Sequence, residues 1–190
     1  MRPNRPARLV LLGAPGSGKG TQGTVLANRL RVPYISTGEL LRNRAAADGE
    51  VARQIVAYLD RGDLVPDDLV LAVVGEALTA AAKASGYVLD GIPRNRAQAE
   101  RIETLAAPDA VVYLAVPDDV ARERVAQRSQ GGRSDDARAP AIERRLRLFH
   151  EETEPLLDFY NERGRLVTID AREPREFVTA AITRALDLVR

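Results

Sequence analysis

Gly13-Ala14-Pro15-Gly16-Ser17-Gly18-Lys19-Gly20-Thr21 is the stretch on which the fold turns. Before it stands a short apolar run, Arg8 to Gly13 (RLVLLG), that reads as a strand; after it, from Lys19, begins a segment of helical spacing. A strand, a glycine-rich turn and a helix in that order make a phosphate-binding loop. Gly13, Gly16 and Gly18 let the backbone bend so that successive N–H groups converge, and the helix N-terminus adds partial positive charge at the same spot. Lys19 supplies a mobile point charge for β- and γ-phosphates. Of the 28 basic residues only Lys19 and Lys83 are lysine, so a lysine here stands out in a chain that otherwise uses arginine. Gly20 stands where the general pattern has Ser or Thr, and Thr21, one residue on, could supply the hydroxyl near magnesium instead.

Outward from this loop the chain alternates short apolar runs with longer helical segments, the pattern of βαβ units and a parallel sheet with helices on both faces. Further strands are predicted at Tyr87 to Asp90, Ala110 to Val116 and Leu166 to Asp170, with a short one at Pro33 to Ser36, about five in all. Helices are predicted from near Lys19, Gly38, Asp48, Pro66, Asn95, Pro117 and Pro140. A last one carries Val178, Ile182, Ala185, Leu186 and Val189 on one face. Pro66 and Pro117, each followed by two aspartates, mark first turns. Gln130 to Asp136 (QGGRSDD) is the one conspicuously polar, glycine-containing loop.

With 190 residues, 45% of them hydrophobic, the chain is long enough for one globular domain with a real core. Its net charge of +1 argues against binding nucleic acid or an anionic membrane through a bulk field, so any anion must be held locally. Cysteine is absent and His150 is the single histidine, which excludes disulfides, thiolate nucleophiles, cysteine zinc sites and multi-histidine metal sites. The apolar run at Leu9 to Leu12 is far too short for a signal-peptide core or a membrane span, and a cytoplasmic protein is expected.

Four stretches occur in a telling order: GAPGSGKGTQ (Gly13 to Gln22), STGELLR (Ser36 to Arg42), YVLDGIPRNRAQ (Tyr87 to Gln98) and GRSDD (Gly132 to Asp136). They resemble the successive motifs of the nucleoside monophosphate kinases, most closely the adenylate kinases, and the resemblance spans nearly the whole chain. It implies a P-loop NTPase fold: a five-stranded parallel sheet, a small AMP-binding segment at 36–65 and a short lid at 127–138 without structural zinc. The implied reaction is Mg-ATP plus AMP going reversibly to two ADP, with Mg2+ as the only cofactor and a monomer as the working form.

The resemblance also assigns roles. Gly16, Ser17, Gly18, Lys19, Gly20 and Thr21 would hold the phosphates of ATP, with Arg128 beside them. Arg42 and Arg94 would take the AMP phosphate, and Arg133 and Arg145 the transferring phosphoryl region at the AMP side. Asp63, Leu64, Val65, Gly91, Ile92 and Pro93 would complete the AMP pocket. Asp90, a carboxylate ending a buried strand, needs a partner, and a magnesium shell reached through water is the expected one. Asp135 and Asp136 would pair with arginines on lid closure, stay solvated or cap the next helix, and Gly131 and Gly132 would ease the movement. His150, on the long helix after the lid, reads as structural.

In this reaction the attacking oxygen is already an ionised phosphate, so the task is to bring two polyanions together in line in the absence of water. Arginine forks suit that task, because each donates two N–H bonds to phosphate oxygens. Thr37 and Gln98 match the positions at which the resembled family reads the base, and the resemblance implies adenine for both: the long amide of Gln98 can accept from the N6 amino group and donate to a ring nitrogen. A UMP/CMP kinase is the alternative within the class, and a nucleotide-binding regulator without transfer activity the alternative outside it.

Overall fold

The computed structural model describes residues 7–47, 49–129 and 139–189. Five parallel strands, β1 (Ala7–Leu12), β2 (Tyr34–Ser36), β3 (Gly86–Asp90), β4 (Ala110–Ala115) and β5 (Leu166–Asp170), lie in the order β2-β3-β1-β4-β5. The predicted runs thus become strands with ends moved by a residue at most. Around them run α1 (Lys19–Leu30), α2 (Thr37–Ala45), α3 (Glu50–Arg61), α4 (Asp67–Ala84), α5 (Arg96–Ala106), α6 (Asp118–Ser129), α7 (Ala139–Leu148), α8 (Leu156–Asn161) and α9 (Arg175–Val189). Among the described residues no helix is long and apolar enough to cross a membrane.

Alternation along the strands divides the core in two. Val10, Leu12, Tyr87, Leu89 and Val111 face one layer, where α4, α5 and α8 bring Val74, Leu78, Ile102 and Phe159. Leu9, Leu11, Val88, Val112 and Ile169 face the other, where α1 and α9 bring Leu26, Val178, Ile182 and Leu186. With both faces covered, the central strands read as unbroken apolar runs, and each fully buried Val or Leu contributes about 1.5–3 kcal/mol.

Local chemistry sets the helix starts. Ser36 Oγ accepts from the Glu39 backbone N–H at 3.4 Å to cap α2, and Asn95 Oδ1 accepts from the Gln98 N–H at 2.9 Å to cap α5. Pro66 is the cap residue of α4, one place before the first turn that the sequence suggests for it, and Asp67 and Asp68 occupy that turn. The predicted start at Asp48 lies outside the described residues.

One prediction needs correction. The long helix carrying His150 is interrupted: after α7, Phe149–Thr153 widen into a π-helical turn closed by the Glu154 N–H donating to Phe149 O at 2.8 Å, before α8 begins. Pro155 is the local reason, since it has no N–H with which to continue the α-helical ladder.

Register places the chemistry. Leu11 pairs with Asp90 and Ser36 pairs with Asp90, so the carboxyl ends of β1, β2 and β3 finish side by side. The strand order reverses at β1, between β3 and β4. Open parallel sheets bind ligands in that crevice.

Candidate active site

A cavity of about 930 Å³ occupies this crevice. Its floor is the loop Gly13–Lys19, whose glycines are structurally required. Gly13 has φ +150° and a Cβ there would stand 2.5 Å from Ser17 Oγ; Gly16 has φ +83° and a Cβ there would stand 2.5 Å from the Ala121 carbonyl of α6. Gly18, in the left-handed region, precedes α1 and offers no side-chain cap, so the first backbone N–H groups of α1 keep their donor capacity for an anion. Lys19 Nζ lies across the loop, donating to Gly13 O at 2.7 Å and Ala14 O at 2.9 Å, with Ser17 Oγ at 3.4 Å. Gly20 and Thr21 are exposed on the first turn of α1 and line the cavity.

Asp90 ends β3 beside this loop. Tyr34 Oη donates to Asp90 Oδ2 at 2.8 Å, and no described residue donates to Oδ1. Burial, and after it the Asp90 carboxylate, pushes the Tyr34 hydroxyl far above the ordinary phenol range, so it remains a protonated donor. Among the described residues no three His, Asp or Glu side chains cluster to cage a metal. A lone carboxylate with an unused oxygen near a phosphate loop fits magnesium, which keeps most of its waters and takes phosphate oxygens as ligands.

Across the cavity lies the loop after β3. Gly91 has φ +90° and packs against Thr37, where its Cβ would approach the Thr37 Cβ to 3.1 Å; Ile92 and Pro93, joined by a cis peptide, are buried behind it. Arg94 Nε donates to Gly91 O at 2.8 Å, its N–H to Gln98 Oε1 at 2.7 Å, and its carbonyl accepts from Thr153 Oγ1 at 2.8 Å. These bonds fix the side chain and leave both Nη groups without a hydrogen-bond partner among the described residues. Desolvation draws the guanidinium below its usual pKa, Asp90 opposes that, and Arg145 adds to it. Two cations that repel each other within one cavity favour an anion there.

Thr37 is 1% exposed, and its Oγ1 has no hydrogen-bond partner among the described residues although the residue lines the cavity. Gln98, at 2% exposure, is buried; besides holding Arg94, its Nε2 donates to Asp67 Oδ1 at 2.6 Å. Leu64 and Val65 line the same wall with Asp63. The Asp63 carboxylate is occupied by Arg61 at 2.8 Å and by Arg144, and Arg61 foremost holds it below the usual carboxylate range. Arg42, Arg128 and Arg145 also line the cavity, Arg145 donating to Leu59 O at 3.4 Å. Arg133, Asp135, Asp136, Gly131 and Gly132 lie outside the described residues, as does most of the proposed lid.

Two cavity residues, and one partner of the cavity wall, escape a reading of the sequence. Tyr34 reads as a strand aromatic. Arg124 is hidden among neighbouring arginines, yet it lies one turn before Arg128 on α6 and donates to Ala171 O and Arg172 O at 2.8 and 2.9 Å. That i, i+4 spacing is the signal that could have found it. Asp67, which anchors Gln98, looks only like a first-turn aspartate. Among the described residues eight cationic side chains against four carboxylates line the cavity, a concentrated positive field in a chain of net charge +1.

A phosphate cradle at the switch point of a parallel sheet, faced across one cleft by arginines of which Arg94 is held in place, defines a P-loop kinase of the nucleoside monophosphate class. Comparison with known proteins narrows this. Residues 11–165 match the family described as adenylate kinase. Adenylate kinases from Stenotrophomonas maltophilia (43% identical, covering 94% of this chain and 98% of the relative), Cyanothece sp. (40%, 97% of each) and Thermobifida fusca (40%, 94% and 97%) are similar over nearly their whole lengths. The chain belongs to the adenylate kinase family, and its reaction is ATP + AMP = 2 ADP.

Proposed function

We propose that the two walls of the cavity divide the substrates, the loop Gly16–Thr21 with Arg128 taking ATP and the segment 36–65 with the Gly91–Arg94 loop and Gln98 taking AMP. The observation that carries this reading is Arg94, fixed at Nε and at its backbone while both Nη groups remain available in the cleft. A planar fork held in that way meets two phosphate oxygens without further ordering, which is where positioning catalysis gains most. Arg42 completes the AMP phosphate site and Arg145 stands toward the phosphoryl group in transfer, with Arg133 from the lid, 127–138. Lys19 would exchange the loop carbonyls for phosphate oxygens.

Magnesium, carried by ATP and held through water by Asp90, would neutralise phosphate charge; Thr21, exposed on the first turn of α1, would offer a second oxygen. No side chain need remove a proton, and His150 takes no part. The hydroxyl of Thr37, without a partner among the described residues, supports a polar group of the acceptor nucleotide at this wall, since a buried hydroxyl without a partner costs stability unless a ligand satisfies it. Gln98 retains one lone pair and one amide hydrogen after holding Arg94 and Asp67, enough for one bond of each kind to a base. Because Gln98 also positions Arg94, Thr37→Val is the cleaner probe of base choice.

An acceptor panel of AMP, UMP, CMP and GMP with Mg-ATP, read by product chromatography, tests the reading. Wild type is expected to phosphorylate AMP by a wide margin, and Thr37→Val to raise the KM for AMP about fivefold or more with the KM for ATP unchanged. Equal use of UMP, or an unchanged KM for AMP in the variant, refutes the assignment.

A further inference from the structure

Tyr34 contributes a hydroxyl to the cavity from an element that carries no part of the phosphate loop. It stands at the start of β2, and its ring packs against α1: a Cβ at Gly23 would fall 2.3 Å from Tyr34 Cε2, so the helix keeps a glycine where the ring rests. At Gly20 an added Cβ would stand 3.6 Å from Tyr34 Oη. Gly20 is the position at which phosphate loops of the general pattern present a Ser or Thr hydroxyl toward magnesium. Tyr34 therefore brings a hydroxyl from the neighbouring strand to within side-chain reach of the place where α1 lacks one, and there it donates to Asp90 Oδ2 at 2.8 Å.

The choice of donor matters physically. Asp90 has a competing attraction in Arg94, whose guanidinium feels its charge across the cleft. A carboxylate turns easily about its last bond. Left to turn, it would move toward that cation, weakening both the fork and its own reach to the phosphate side. A lysine or arginine in place of Tyr34 would restrain the carboxylate but cancel its charge. A phenol restrains it and leaves the charge intact.

We infer that Tyr34 is the positioning residue of the metal-side carboxylate, its hydroxyl holding Oδ2 of Asp90 so that Oδ1 is presented to the hydration shell of the divalent cation that accompanies ATP. This rests on the reading of Asp90 given above. Partners of this outer kind set the orientation of metal-side ligands and, when removed, weaken the site without emptying it.

The test uses Tyr34→Phe, which keeps the ring over Gly23 and removes only the hydroxyl, together with Asp90→Asn and the double variant. ATP is titrated calorimetrically with excess Mg2+ and again in EDTA, without AMP, and the ratio of the two dissociation constants reports the metal's contribution. Activity is then followed as Mg2+ is raised. Tyr34→Phe is expected to melt with the wild type, to change that ratio by about three- to tenfold toward that of Asp90→Asn, and to need more Mg2+ for half-maximal kcat while the KM for AMP holds. Added to Asp90→Asn, the second change should do nothing further. If Tyr34→Phe leaves ratio and Mg2+ requirement unchanged while Asp90→Asn alters them, the role of Tyr34 is overturned and that of Asp90 stands. If Asp90→Asn leaves them unchanged, the reading of Asp90 fails, and that of Tyr34 with it. Losses that add in the double variant also overturn the inference, because Tyr34 would then act independently of Asp90.

Discussion

Arg94 illustrates how a single side chain is prepared by its surroundings. Its Nε, N–H and carbonyl are each engaged, by Gly91, Gln98 and Thr153, so the ordering cost of the fork is met at folding and not at each turnover. Arg94→Ala is expected to lower kcat about 10³-fold or more, and Arg94→Lys, which keeps the charge and loses the planar fork, to recover only part of it. A coupled steady-state assay beside a thermal melt checks this; a lysine variant with the wild-type rate would mean that charge alone suffices. At this scale the sequence is eloquent about Arg94 and Asp90, which sit in a short motif at a strand end. It is silent about Gln98 bonding to Asp67 across 31 positions, because that depends on how α4 and α5 pack.

Among the elements, the segment from α7 to α8 departs most from expectation. Sequence periodicity runs smoothly through Phe149–Thr153, and the missing N–H of Pro155, together with the bond from Thr153 to the Arg94 carbonyl, accompanies a wide turn there. His150 sits in that turn, with Nδ1 2.7 Å from Glu154 Oε2 and Nε2 3.0 Å from Asp118 Oδ1, tying the start of α6 to the start of the α8 region. Arg122 shares Asp118 at 3.7 Å. The hydrogen bond to Glu154 foremost raises the imidazole pKa, and Asp118 adds to it. A raised folded-state pKa means that the charged form favours folding. This contribution is complete below the unfolded value, about 6.5, and disappears as pH rises through the folded value. At 43% exposure the effect is modest, under about 1 kcal/mol. His150→Gln should therefore lower the Tm by a degree or two near pH 5.5 and by almost nothing at pH 9, as scanning calorimetry at the two values would register; a gap that grows with pH would reverse the assignment.

Taken whole, the molecule is two apolar layers sharing one sheet, and β3 shows it in adjacent residues: Val88 and Leu89, both fully buried, belong to opposite layers. Leu89→Ala should cost about 2–5 kcal/mol and Val88→Ala somewhat less, each with one cooperative unfolding transition, because the layers have no sheet apart from the one they share. Two transitions in either variant would separate the layers. The strands, their parallel pairing and the covered faces are legible in the sequence because unbroken apolar runs bounded by helices have few other solutions. Long-range polar ties are not: Tyr34 to Asp90, Arg144 to Asp63 and Arg124 to the Ala171 carbonyl each join residues that chain distance separates and only the folded sheet brings together.

The register that ends β1, β2 and β3 together has a further meaning. Gathering the cavity at a single rim leaves the amino ends of β1, β3, β4 and β5, and turns such as that at Gly164 beyond α8, outside its lining. That far border is spare ground, where residues can drift, lengthen or acquire a handle for other proteins while the phosphate chemistry on the opposite side continues undisturbed.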